Sequence, residues 1–271
     1  MKAHYLLITA MLLGACAAPM PSDAPAPKPP VRPDIGILWV ENAAEYQALS
    51  ALVYAEARRD LERLITDADW SALPGVTDVE GKPPAIILDV DETVVSNAAY
   101  QETLIEAPYT RFGHFDFMRK NTAVPVRGAA ETVAAAHAAG VAVYFLTNRA
   151  CEAFDGVEGE CPYEQVTIED LREIGIETDP EHVLMAWERP GWTKEKLHRR
   201  LHVAETHRVI MLFGDDYGDF VQCTRSKPLP PCTEPATRAY RHATVEEHAD
   251  RWGNGWYILP NPMHGSWTSI R

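Results

Sequence analysis

The chain has 271 residues, 46% of them hydrophobic, which is enough for a substantial core. Asp and Glu outnumber Lys and Arg by 39 to 25, for a formal net charge of −14. A binder of polymeric nucleic acid carries a basic face, so that class of partner is excluded, whereas a small phosphomonoester stays compatible if a metal ion and a few cations are local.

Residues 1–15 read as a secretory signal. Lys2 is a weakly positive start, Tyr5 to Leu13 is largely apolar, and Gly14-Ala15-Cys16 follows. The apolar stretch is too short to span a bilayer. Leu13-Gly14-Ala15-Cys16 looks like a bacterial lipobox, which makes Cys16 the lipidated start of the mature protein. An ordinary signal peptide with a chance cysteine is the rival. Seven prolines between Cys16 and Gly36 describe an extended tether over 16–36. Ala17 after the cysteine, by resemblance to lipoprotein sorting, implies an outer-membrane or periplasmic lipoprotein of a Gram-negative bacterium, anchored through its N-terminal lipid only.

The remaining about 235 residues fit one domain, 37–271, with an insert at about 94–125. Asn42-Ala-Ala-Glu45 has the form of a capping box and opens a long helix. Tyr46, Leu49, Val53, Ala57, Leu61 and Leu64 give that helix an apolar stripe. Residues 67–83 are loop, and the apolar run at 84–89 is a buried strand. Residues 94–125 show no clear strand and carry Tyr100, Tyr109, Phe112, Phe115 and Phe117, which predicts a small helical insert over the strand end. A helix over 128–139 stops at Gly140, and Val141 to Leu146 is a second buried strand. A helix over 164–174, a strand over 183–186, a helix over 193–206 and a strand over 209–213 follow. Thr244-Val-Glu-Glu247 caps a late helix, and 256–259 is a last strand. Strands alternating with helices predict an α/β fold: a doubly wound parallel sheet flanked by helices in three layers.

Cys151 with Cys161 and Cys223 with Cys232 form two close pairs in Gly- or Pro-rich loops. In an exported chain an even set favours disulfides, and Cys151–Cys161 with Cys223–Cys232 is the favoured one of three connectivities. A zinc site is the rival, but neither pair has CxxC spacing and no histidine is close.

Chemistry gathers where the apolar strands end. Asp89 and Asp91 stand two residues apart after Ala85-Ile86-Ile87-Leu88. Residues i and i+2 of a strand point the same way. Two carboxylates at a buried strand end repel and lose hydration, which is costly unless a cation compensates. Asp89, Thr147 and Asp215 each follow a buried strand, and in a parallel sheet such ends lie side by side along a crevice. That edge gathers three to five carboxylates, a hydroxyl and a lysine. Mg²⁺ with a phosphate is their natural occupant.

The set resembles the haloacid dehalogenase (HAD) superfamily of phosphatases. Asp89-Val-Asp91-Glu-Thr93 is the D-x-D-x-T motif, Thr147 follows an apolar strand, a lysine comes next, and Gly214-Asp215-Asp216-Tyr-Gly-Asp219 is the last motif. Leu146-Thr-Asn148-Arg149, the GDD-x-x-DF run at 214–220 and Leu259-Pro-Asn-Pro262 with Gly265 and Trp267 are similar to the class B/class C-like acid phosphatases of bacterial surfaces, 5′-nucleotidase lipoproteins among them. The resemblance implies Asp89 as nucleophile, forming an aspartyl-phosphate. Asp91 is implied as general acid and then base, predicting an acidic optimum. Asp89, Asp215 and the main-chain carbonyl of Asp91 are implied as Mg²⁺ ligands, and Thr147, Asn148 and a lysine as phosphoryl binders. Asp216 and Asp219 support the metal's water or the lysine. The family's lysine is followed three residues later by arginine, which selects Lys196 before Arg199 and leaves Lys194 as a solvated helix-start residue. His264 stands where tyrosine is commoner in base stacking, and Tyr100 could form the other wall. The expected activity is Mg²⁺-dependent acid phosphatase action on phosphate monoesters, nucleoside 5′-monophosphates among them. A low-turnover surface binding protein and a phosphotransferase are the alternatives.

Overall fold

The computed structural model describes residues 34–270. The expected signal, Cys16 and nearly all of the tether lie outside them. Two helices come first, α1 (Ile35–Asn42) and α2 (Ala44–Thr66), then strand β1 (Pro84–Leu88). Between β1 and α5 (Ala129–Ala138) lie β2 (Val95–Ser96), α3 (Ala98–Thr103), α4 (Arg111–Met118) and β3 (Val124–Pro125). The chain continues through β4 (Ala142–Ala150), α6 (Pro162–Glu173), β5 (Val183–Ala186), α7 (Leu197–Thr206), β6 (Arg208–Gly214), α8 (Arg238–Glu247) and β7 (Trp256–Ile258).

The main sheet has the order β5-β4-β1-β6-β7 and every pairing in it is parallel. Its centre is β1, where Ile87 faces Tyr144 on one side and Leu212 on the other. Side chains alternate across the sheet as strand geometry requires. Ile86 and Leu88 pack with Tyr54, Leu61 and Leu64 of α2, Val133 of α5 and Leu171 of α6. Ala85 and Ile87 turn to the opposite layer, with Val203 and Ala204 of α7 and Trp256. The chain runs from β1 outward to β5, then returns to place β6 on the other side of β1. That reversal opens a crevice at the carboxyl ends of β1, β4 and β6.

Several local expectations are corrected. Asn42 closes α1 instead of opening the long helix, whose N-cap Ala43 makes no side-chain cap bond. Tyr46, Ala57, Leu61 and Leu64 of the expected stripe on α2 are buried, but Leu49 is 43% exposed and Ser50 and Tyr54 complete the buried face in its place. The insert holds two helices but also an antiparallel ribbon, Val95 facing Pro125 and Ser96 facing Val124. Helix α8 starts seven residues earlier than expected, at a Thr237 cap whose side chain accepts from the Tyr240 amide, and Thr244 lies inside it. Cys151–Cys161 and Cys223–Cys232 are disulfides, which removes the thiolates a zinc site would need.

Candidate active site

Just past β1 the chain folds back on itself. Val94 and Val95 amides both donate to the Val90 carbonyl, and Glu92 adopts φ +59. A non-glycine residue in that region is uncommon and costs energy, so it persists only where its surroundings enforce it. The enforcement is visible: the Glu92 amide donates to the Val95 carbonyl at 2.7 Å, and its carboxylate accepts from the Asn97 amide at 2.6 Å. This loop presents Asp89 and Asp91 at the strand end. Residue 214 must be glycine, because a Cβ there would collide with the Asp219 side chain.

Asp89, Asp215 and Asp219 each offer a carboxylate oxygen, and these atoms all lie within 4.8 Å of one another. Lys196 reaches between them, its Nζ 2.5 Å from Asp89 Oδ1 and 2.7 Å from Asp219 Oδ1. Burial raises the pKa of Asp215 well above the carboxylate range, with repulsion from Asp219, Asp89 and Glu92 adding to it. Burial also pushes Asp219 up to about 7, although Lys196 opposes the shift. Burial works against the Lys196 ammonium, but Asp219 and Asp89 outweigh it, so that group is held charged. Clustered hard oxygens whose ionised form is disfavoured by mutual repulsion fit a divalent cation such as Mg²⁺. Asn261 Nδ2 donates to Asp215 Oδ2 at 2.7 Å and fixes that carboxylate.

Asp91 takes a different direction from the metal set. Its carboxylate accepts from Arg149 Nη2 at 2.8 Å and Asn97 Nδ2 at 2.9 Å. Burial alone would raise its pKa, but the Arg149 guanidinium holds it well below the usual range. Before substrate arrives, the Arg149 pair therefore favours the ionised form of Asp91. Arg149 also binds Asp170 at 2.6 Å, so one cation serves two carboxylates.

A cavity of about 350 Å³ opens above this floor, lined by Asp89, Asp91, Asn148, Arg149, Asp215 and His264 among others. Thr147 and Lys196 are buried beneath it. Thr147 Oγ1 accepts from the Arg149 amide, and Asn148 Oδ1 accepts from Arg199 Nη2 at 2.8 Å. Asp216 caps the turn at 217–219 and accepts from the Ser266 hydroxyl at 2.8 Å, and both residues line the cavity. His264 is no free platform: its Nε2 lies 2.8 Å from Glu92 Oε2. Tyr100 is buried against His114, with ring centroids 4.5 Å apart, while Tyr109 is 52% exposed at the mouth. Lys194 is half-buried on the cavity wall, ahead of the helix that begins at Leu197, and is not the solvated helix-start residue expected.

Asn97, His114 and Arg225 belong to the site without a sequence signal. Their partners are distant or lie in the irregular insert, and no spacing marks them. Arg149 lies in the Leu146–Arg149 motif, but nothing in the sequence marks its pairing with Asp91 across 58 residues.

A family model described as HAD superfamily, subfamily IIIB (acid phosphatase), matches residues 36–267. Two solved structures of a class C acid phosphatase from Bacillus anthracis are similar to the chain at 26% identity. One gives a TM-score of 0.67 over 86% of this chain and 85% of that one. The other, with tungstate bound, gives 0.68 over 86% and 84%.

Proposed function

The chain belongs to subfamily IIIB of the HAD superfamily, the acid phosphatases, and is a phosphoric monoester hydrolase; we propose that it works through an aspartyl-phosphate on Asp89 with Mg²⁺ as its cofactor. The observation that carries this is the placing of Asp89 Oδ1 2.5 Å from the Lys196 ammonium inside the carboxylate cluster.

Asp89 forms a bond to phosphorus as the ester P–O bond breaks, and the departing oxygen leaves as an alcohol. Arg149 holds Asp91 ionised, so the proton enters with the substrate monoanion, whose second ionisation lies near about 6. It passes by way of Asp91 to the leaving oxygen. Water then attacks the phosphorus, gives its proton to Asp91 and releases inorganic phosphate from Asp89. Lys196, Thr147 and Asn148 surround the phosphoryl oxygens and offset their charge. The carboxylates of Asp89 and Asp215, with the main-chain carbonyl of Asp91, would hold the ion, and bound Mg²⁺ neutralises developing phosphoryl charge. Asp219 orients Lys196.

Nucleoside 5′-monophosphates belong among the substrates, with the exposed Tyr109 ring at the cavity mouth available to the base. Cys16 anchors the mature protein to a membrane outside the cytoplasm. Tungstate, bound by the Bacillus anthracis protein, should inhibit.

The test is a phosphate-release screen over nucleotides and sugar phosphates, with and without EDTA. Asp89→Asn should lose at least about a thousandfold in turnover, and EDTA should abolish it. Wild-type turnover by that variant would overturn the assignment. Phosphorylated glycerol accumulating when glycerol is added would point to phosphotransfer instead.

A further inference from the structure

Among the described residues, each lysine or arginine that lines the cavity has a carboxylate partner except one. Arg149 has Asp91 and Asp170, and Lys196 has Asp89 and Asp219. Arg225 Nε faces Glu195 at 3.6 Å, and Arg111 pairs with Glu152 at 2.9 Å. Lys194 also lines the cavity, yet among the described residues no carboxylate lies within ion-pair distance of it. Its neighbours by charge are Arg225 and Arg111, both repelling it, and Glu152, which Arg111 already engages. A half-buried ammonium repelled by two guanidinium groups is costly unless an anion joins it.

The wall beside Lys194 is built at a cost as well. Trp187 adopts φ +62, a region bulky residues rarely enter. Its amide donates to the Trp192 carbonyl at 2.9 Å, and its ring stays 40% exposed. Lys194 Nζ lies 5.8 Å and the Arg111 guanidinium 5.4 Å from that ring's centroid, within cation–π range. The ring holds the lysine at the cavity without neutralising it.

We propose that Lys194, which lines the cavity with Arg225 and shares the Trp187 ring with Arg111, is a second anion subsite, so that preferred substrates are phosphomonoesters bearing another anionic group. This rests on the phosphatase function above, in which Lys196 and the metal account for the reacting phosphoryl group and leave Lys194 uncommitted.

The test uses alkanediol monophosphates and the matching bisphosphates, over a series of chain lengths. At a length that spans the cavity, the wild type should favour the bisphosphate in kcat/KM by about tenfold, the scale of one charge-assisted contact and above the twofold expected from two equivalent ends. Lys194→Met should bring the ratio to about two, and Lys194→Arg should keep it. No wild-type preference at any length, or an equal fall for both substrates in Lys194→Met, would overturn the subsite. Calorimetric binding of the same pairs to Asp89→Asn, with and without Lys194→Met, reads the subsite without turnover. Failure to hydrolyse p-nitrophenyl phosphate would instead sink the phosphatase mechanism and leave the binding comparison to decide the subsite.

Discussion

His114 is a titratable side chain buried without charge. Its Nε2 lies 3.3 Å from Asn97 Oδ1 and its Nδ1 lies 2.7 Å from the Tyr163 hydroxyl. Burial pushes its pKa down to about 4 from the ordinary 6.5. Between those values the unfolded chain binds a proton that the native state refuses, so stability rises with pH across the window and is lost on acidification. The loss attributable to His114 is about 2 kcal/mol by pH 5. Urea unfolding at pH 7 and pH 5 should therefore show a smaller drop for His114→Gln than for the wild type; an equal drop would assign the loss elsewhere. Arg149 makes a second residue-scale case. Arg149→Met leaves Asp91 and Asp170 buried without their cation, and breaking such a pair typically costs about 3–5 kcal/mol. Denaturant midpoints would show it.

Among the elements, α2 supports the active-site loop directly. Tyr54 donates its hydroxyl to the Thr93 carbonyl at 2.6 Å, and Thr93 Oγ1 in turn lies 3.3 Å from Asp215 Oδ1. Tyr54→Phe should cost about 1–3 kcal/mol by leaving that buried carbonyl unpaired. Gly128, which opens α5 at φ +96, is pressed so close to Tyr54 that a Cβ would sit 2.8 Å from the tyrosine Cβ. Gly128→Ala should destabilise by a similar amount, about 1–3 kcal/mol, through strain and overpacking; unchanged melting of either variant would argue against this packing. The long elements were legible because burial imposes a period on them: the apolar runs of β1 and β6, the alanine-rich α5. The ribbon of β2 and β3 was not, since two residues cannot display a period. Helix starts misled for a related reason. The four-residue cap pattern recurs by chance, as at Asn42 and Thr244, while Thr237 caps α8 without it.

At the scale of the whole molecule, the site exists only because three parallel strands end at one edge. That was readable from the order of the motifs, as was the likeness that chose Lys196 over Lys194. The Arg149–Asp91 pair was not readable, because it depends on β4 pairing directly with β1, which brings Arg149 beside the turn that follows β1. The clustered carboxylates just past β1 and β6 should make the fold responsive to a divalent cation. Added Mg²⁺ should raise the melting temperature of the wild type, because an ion that binds only the native state stabilises it by mass action. Asp215→Asn should blunt that rise, and an identical rise in both proteins would remove Asp215 from the ion's ligands.

The covalent step is tested most directly by acid-quenching the enzyme during turnover of a phosphate monoester and weighing the peptide that contains residue 89. A phosphoryl adduct on Asp89 in the wild type, absent from Asp89→Asn, is the expected result. Rapid phosphate release with residue 89 never labelled, or with the label on another side chain, would contradict the account.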